Sequence, residues 1–177
     1  MKNFFQMSAK TFYGFEDVLC KELKKINAID VIKSNRIVHF KGDKELMYKA
    51  NLCLRTALKI LIPLENKKVL NYEALYKFAF DFEWENYFHK DSSFYINSVC
   101  FGKYFTHSLY VSQRVKDGIV DRFRKLKGSR PTVEKFKPDI YIDVHIDKKS
   151  CTFSLNSSGK NLNQRGYRKK TNEAPLN

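Results

Sequence analysis

The sequence predicts an α+β protein of two successive mixed units with a basic C-terminal segment. Three observations predict it. Apolar residues alternate at strand period in some stretches and recur at helical period in others, and the two kinds interleave. The first third reads strand, helix, two strands, helix, strand. A long amphipathic helix and a closing pair of strands follow later in the chain.

Residues 3–9 are short, apolar and bounded, as a strand requires. Over residues 15–26 the pattern becomes helical, with Phe15, Val18, Leu19, Leu23 and Ile26 on one face. Glu16 and Asp17 open this helix and Lys24 and Lys25 close it, the order the helix dipole favours. Residues 28–34 and 36–41 read as a hairpin turning at Ser34-Asn35. Asp43 after Gly42 offers an N-cap for a helix through Leu46, Tyr48, Ala50 and Leu52. Residues 57–63 give a further strand. The order β-α-β-β-α-β is that of a ferredoxin-like unit, expected over residues 1–65.

The second unit is expected over residues 66–157. It opens with a short helix at 71–79. Residues 82–88 are aromatic-rich and read as a packed connection, with Trp84 its anchor and not a base-stacking platform. A strand at 93–99 leads into a long helix from His107 to Leu126, whose buried face holds Val115, Ile119, Phe123 and Leu126. Residues 139–146 and 150–155 alternate as a second hairpin, joined by Asp147-Lys148-Lys149. From 158 to 177 the chain is polar and basic, without a core pattern, and reads as a linker.

Charge is the first functional clue. The 177 residues include 33 Lys and Arg against 19 Asp and Glu, a formal net charge of +14. The excess concentrates at 103–137, with 10 basic and 3 acidic residues, and in the C-terminal segment. That distribution points to a polyanionic partner. Neither a signal-peptide pattern nor an apolar run long enough to cross a bilayer is present, so a cytoplasmic location away from membranes is expected.

Most enzyme classes lack their residues here. The seven glycines form neither a dinucleotide fingerprint nor a phosphate-binding loop. Cys20, Cys53, Cys100 and Cys151 are isolated and read as reduced, mostly buried thiols. The four histidines are equally scattered, so no metal site is expected. Asp139 with Asp143, and Glu83 with Glu85, are expected on solvent-facing strands or loops. No nucleophile with its base can be assembled, and no catalytic residue is assigned.

The positive signal lies where residues 101–108 lead into the long helix. A helix N-terminus exposes unpaired N–H groups and favours phosphate. Lys103 adds charge there, and Thr106, His107 and Ser108 add donors. Tyr104 and Phe105 either stack on an unpaired base or belong to the core. In the alternative reading Thr106 or Ser108 is simply an N-cap and the two aromatics are core. Further along, Gln113, Arg114, Lys116, Arg124, Lys125 and Lys127 lie mostly off the apolar face, and Arg130, Lys135 and Lys137 follow in the next loop. These contacts would position nucleic acid without reading its sequence.

The same residues carry a resemblance. The stretch from His107 through Gln113-Arg114 to Phe123 resembles the long helix of THUMP domains. Ser158-Gly159, Leu162, Arg165-Gly166-Tyr167-Arg168 and Glu173-Ala174-Pro175-Leu176 are similar to the corresponding stretch of bacterial THUMP-containing RNA methyltransferases of the large-subunit rRNA guanine-N2 type. Gly14-Phe15-Glu16-Asp17-Val18-Leu19 is similar to that subgroup's first helix. The resemblance implies an N-terminal ferredoxin-like domain, a THUMP RNA-binding domain and a linker to a separate catalytic domain beyond Asn177. That domain would use S-adenosylmethionine, and this chain would hold no cofactor and be inactive alone. Charge and position along the helix, together with the resemblance, give the candidate RNA-binding set Lys103, Tyr104, His107, Ser108, Arg114, Lys116, Arg124, Lys125, Lys127, Lys135, Lys137, Arg165 and Arg168. Two alternatives remain at this point: service to a tRNA-modifying enzyme, or a stand-alone adaptor for an acidic protein partner.

Overall fold

A computed structural model describes residues 3–165. They divide into two compact units, residues 3–60 with 158–165, and residues 61–157.

In the first unit, β1 (Phe5–Thr11), α1 (Glu16–Lys25), β2 (Ile29–Ser34), β3 (Ile37–Gly42), α2 (Lys44–Cys53) and the start of β4 (Ala57–Lys68) follow the expected β-α-β-β-α-β order. The strands lie in the order β2-β3-β1-β4. β3 pairs antiparallel with β1, from Phe5 opposite Gly42 to Lys10 opposite Ile37. One face of this sheet is closed by Met7, Ala9, Val38 and Phe40, with Leu19 and Leu23 of α1 and Leu46 and Ala50 of α2. Only part of each predicted helix face is covered. Phe15 and Val18 remain 49% and 45% exposed, as do Tyr48 at 62% and Leu52 at 74%. Asp43 is the N-cap of α2 and accepts from the Leu46 N–H at 2.9 Å.

Residues 158–165, expected as linker, cluster with this first unit. Ser158 Oγ accepts from the Ile60 N–H at 2.8 Å and donates to Asn51 Oδ1 at 2.7 Å. Arg165 donates to the carbonyls of Leu52 and Leu54 and to that of Leu162, at 2.6–2.9 Å. A helix leaves its last carbonyls without partners of its own, and a guanidinium with its fork of donors meets that need at the end of α2.

The second unit holds the rest of β4, α3 (Tyr72–Asp81), β5 (Ser93–Phe101), α4 (Ser108–Lys127), β6 (Thr132–Val133), β7 (Ile140–Asp147) and β8 (Ser150–Asn156). Its strand order is β4-β8-β7-β5-β6. β7 and β8 form the expected hairpin, whereas β5 runs parallel to both β7 and β6. The two-residue strand β6 carries no periodic signal and is read only from the structure. Asn71 caps α3 by accepting from Ala74 N–H at 2.8 Å. Val111, Val115, Ile119 and Phe123 turn inward from α4, but Leu126, on the same arc in the final turn, stays 50% exposed.

Trp84 is fully buried in a single 3-10 turn (Trp84–Asn86). Its indole N–H donates to the Ala79 carbonyl at 2.7 Å, and its ring packs on Phe82, Phe88 and Phe153. The anchoring role read from the sequence is the one it plays. One member of each carboxylate pair differs from expectation, whereas Asp139 and Glu83 are exposed as expected. Asp143 is 3% exposed, because β7 lies between β8 and β5. It accepts from Asn97 Nδ2 at 3.0 Å. Asp139 instead clips the start of β5, accepting from the N–H and hydroxyl of Ser93 at 2.7 Å each.

Glu85 is half-buried rather than solvent-facing. Both its oxygens accept from Arg122, which also donates to the Phe80 and Asp81 carbonyls at 3.1 Å each. Those guanidinium bonds hold the Glu85 carboxyl below its ordinary value. A carboxyl held low in the folded state stabilises fully above its unfolded pKa, near 4.3, and loses that contribution as pH falls through the lowered folded value. Melting temperature should therefore drop on acidification below about pH 4.3, and Glu85→Gln should flatten that part of the profile. Equal slopes in both proteins would remove the pair from the acid transition.

The cysteines are less uniformly buried than expected. Cys151 is buried, Cys20 and Cys100 are half-buried and Cys53 is exposed. Burial pushes the Cys151 thiol up to about 12, so it is inert at neutral pH. Among the described residues no helix is long and apolar enough to cross a membrane, and no His/Cys/Asp/Glu group could hold a metal ion.

Candidate nucleic-acid interface

The parallel register of β5 and β7 sets Phe101 opposite Asp147. The two segments that follow these strands are thereby neighbours: the loop 102–107 before α4, and the β7–β8 turn. Lys148 N–H donates to the Phe101 carbonyl at 2.9 Å. Gly102 turns there with φ +111°, and a Cβ on it would stand 3.1 Å from the Lys148 Cα. This close approach needs glycine on both counts.

Tyr104 is 39% exposed at the centre of the resulting cluster. Lys149 Nζ lies 4.8 Å and Lys103 Nζ 5.4 Å from its ring centroid. The ring thus organises two ammonium groups, each contact contributing about 0.5–1 kcal/mol at an exposed site. Phe105 is settled as core: it is 1% exposed and meets the Tyr72 ring edge-on at 5.1 Å. His107, neither Thr106 nor Ser108, is the N-cap of α4, with Nδ1 accepting from the Tyr110 N–H at 3.3 Å. The Ser108 carbonyl accepts from Ser98 Oγ, which tethers the first turn of α4 to β5.

The expected basic stretch is not one continuous track. Arg114 donates to Glu73 Oε2 at 3.0 Å and stacks on Tyr76 at 4.8 Å. Lys116 pairs with Asp117 at 2.6 Å and Arg124 with Asp121 at 3.4 Å. Lys125 lies over Phe80, 5.4 Å from its centroid. Among the described residues Lys103, Lys127, Lys135, Lys137, Lys148 and Lys149 have no carboxylate partner within 4.0 Å. These cations gather at the two ends of α4. Lys103, Tyr104, His107 and Ser108 meet at its N-terminal end, whereas Lys127, Lys135 and Lys137 belong to the other. Arg165 is occupied in the first unit by backbone carbonyls, and Arg168 lies outside the described residues.

Lys148 and Lys149 were absent from the sequence-derived set, where they served only as a turn. The lysine pair is visible in the sequence, but nothing local signals the parallel pairing that carries Lys149 to Tyr104 and the Lys148 backbone to Gly102.

A fold of this kind defines a class, and comparison with known proteins gives it. Residues 70–156 match the THUMP domain and residues 6–61 the RlmL ferredoxin-like domain. The chain thus combines a ferredoxin-like domain of the RlmL type with a THUMP domain. It is 38% identical over 176 residues to ribosomal RNA large subunit methyltransferase K/L of Shewanella frigidimarina. That match covers 99% of this chain and 24% of the relative, so the chain spans about a quarter of the relative's length. Among solved structures, a predicted N6-adenine-specific DNA methylase from Listeria monocytogenes superposes with a TM-score of 0.82 at 26% identity, covering 98% of this chain and 46% of that one. SMU.472, a putative methyltransferase complexed with SAH, gives 0.80 at 26% identity over 96% of this chain and 46% of its own.

Proposed function

We propose that this chain is the RNA-binding, substrate-presenting part of an S-adenosylmethionine-dependent rRNA methyltransferase, acting on an exocyclic guanine amine. In this reading the first 65 residues are the ferredoxin-like domain, 66–157 the THUMP domain and 158–177 the approach to a catalytic domain. The observation that carries it is the pair of ammonium groups, Lys103 and Lys149, held over Tyr104 beside the N-terminus of a 20-residue helix. Fixed ammonium groups next to a positive helix end suit backbone phosphates. The large-subunit rRNA methyltransferase relatives favour rRNA over tRNA.

Among the described residues the β5–α4 junction does not fit the methyl donor. Its nucleoside needs a glycine-bearing strand-to-helix turn with open space above it. At the β5–α4 junction the space beside Gly102 is filled by the Lys148 backbone. S-adenosylmethionine would supply the methyl group in a separate domain, and this chain's residues would hold and orient the RNA.

Lys103→Glu with Lys149→Glu should weaken binding to a hairpin RNA with a single-stranded end by roughly tenfold or more. It should also make the salt dependence shallower, by about 1.4 in log–log slope for two lost phosphate contacts. Filter binding across a salt series reads both. Unchanged affinity and slope would move the RNA surface elsewhere. Salt-insensitive binding of an acidic protein with no RNA affinity would install the adaptor reading instead.

A further inference from the structure

The C-terminal end of α4 carries a second cluster. A cavity of about 320 Å³ opens there, lined by Glu85, Phe88, His89, Lys90, Phe123 and Lys127. That size lies at the low end for small-molecule sites, which run from about 300 to 1,000 Å³. Phe88 and Phe123 form its floor, 7% and 2% exposed, with ring centroids 5.3 Å apart. Phe88 packs in turn on Trp84 and Phe94, so the floor is fixed from behind.

The rim is charged. Glu85 is held and neutralised by the bidentate bonds from Arg122. His89 Nδ1 pairs with Asp91 at 3.0 Å. Lys90 and Lys127 have no carboxylate within 4.0 Å among the described residues. A helix C-terminus carries partial negative charge and by itself disfavours an anion. Arg124, Lys125 and Lys127 in the last turn of α4 reverse that sign locally.

Strand pairing adds a further aromatic. Thr132 N–H donates to the Ser92 carbonyl at 3.2 Å and Glu134 N–H to that of Phe94 at 3.0 Å. The loop beyond β6 therefore begins at the same end of the sheet as residues 89–92. It holds Lys135-Phe136-Lys137, with Phe136 77% exposed between two cations. An exposed ring flanked by lysines suits a base next to its phosphates.

We infer that this pocket takes an unpaired nucleotide of the bound RNA. Its base lies against Phe88 and Phe123, its phosphate between Lys90 and Lys127, and Phe136 stacks on a neighbouring base. A bare anion would gain nothing from the aromatic floor, and a purely apolar ligand would leave the rim lysines unused. The inference rests on the RNA-binding reading and extends it. The second contact stands about 30 Å from the first, the length of a 20-residue helix. One RNA touching both ends of α4 must reach that far.

The test uses the full chain, uniformly ¹⁵N-labelled, titrated with cytidine 5′-monophosphate and separately with inorganic phosphate. Nucleotide should shift the amides of residues 88–90 and 127 and the Trp84 indole N–H, and phosphate alone should not reproduce the pattern. Lys90→Glu with Lys127→Glu, both surface changes, should keep the native spectrum, abolish those shifts and weaken single-stranded RNA binding about tenfold. The same pattern with phosphate would mark an adventitious ion only and overturn the inference. So would unchanged RNA affinity in this variant while Lys103→Glu with Lys149→Glu loses it, an outcome that leaves the proposed function standing. Absence of RNA binding by the wild-type chain would overturn both.

Discussion

Trp84→Ala should destabilise the second unit by about 3–5 kcal/mol, the usual cost of emptying an aromatic site in a packed core. The residue is fully buried, and three aromatic partners close around it: Phe82 at 4.6 Å, Phe153 at 5.2 Å and Phe88 at 6.2 Å between centroids. Phe153 is itself stacked on Phe78 of α3 at 4.2 Å, so the void would lie between helix, connection and sheet at once. No single neighbour can move to fill it. Trp84→Phe separates two contributions. It retains part of the volume but removes the N–H that meets the Ala79 carbonyl, an unmade buried hydrogen bond costing about 1–3 kcal/mol. Chemical denaturation followed by far-UV circular dichroism reads both. A Trp84→Ala loss no larger than that of Trp84→Phe would show that the hydrogen bond, and not the packing, holds the connection.

Local patterns made most of the elements legible. Asp43 and Asn71 are caps with short-range chemistry, and the four helices follow from apolar period. The depth of burial was less legible. Phe15, Val18, Tyr48 and Leu52 lie on or near predicted apolar faces but stay exposed, because a helix resting on a sheet covers a narrower arc than its apolar residues occupy. The candidate site divides in the same way. Lys103 and His107 were found because they adjoin a helix start. Lys149 is not legible as part of the site because the β5–β7 register that brings it to Tyr104 pairs residues distant in sequence. Arg114 was placed in the RNA-binding set for its charge, yet its guanidinium is engaged by Glu73 and Tyr76 on α3. Charge is countable in a sequence, whereas the partner that neutralises it is a tertiary fact.

That α3–α4 contact makes Gly118→Val the other large effect. Replacing glycine in a helix interior by a good helix former normally stabilises by about 1 kcal/mol. Here a Cβ at residue 118 would stand 2.7 Å from the Ala79 Cβ, 2.8 Å from the Tyr76 carbonyl oxygen and 3.0 Å from the Phe80 backbone nitrogen. Two of those atoms are backbone and cannot rotate away, so the helices must separate. Overpacking of this kind costs about 1–3 kcal/mol and more where backbone must shift. The branched Val adds two methyls to the clash, and a net loss of about 3 kcal/mol is expected, with Gly118→Ala intermediate despite its better propensity. Separation would also draw Arg114 from Glu73 and Tyr76, and Lys125 from Phe80. RNA affinity should then fall while the variant is still folded at low temperature, because both ends of α4 carry the proposed contacts. Denaturant midpoints give the first quantity, and binding measured well below the melting temperature gives the second. A Gly118→Ala protein more stable than wild type would mean that α3 and α4 do not approach as closely as the structure has them.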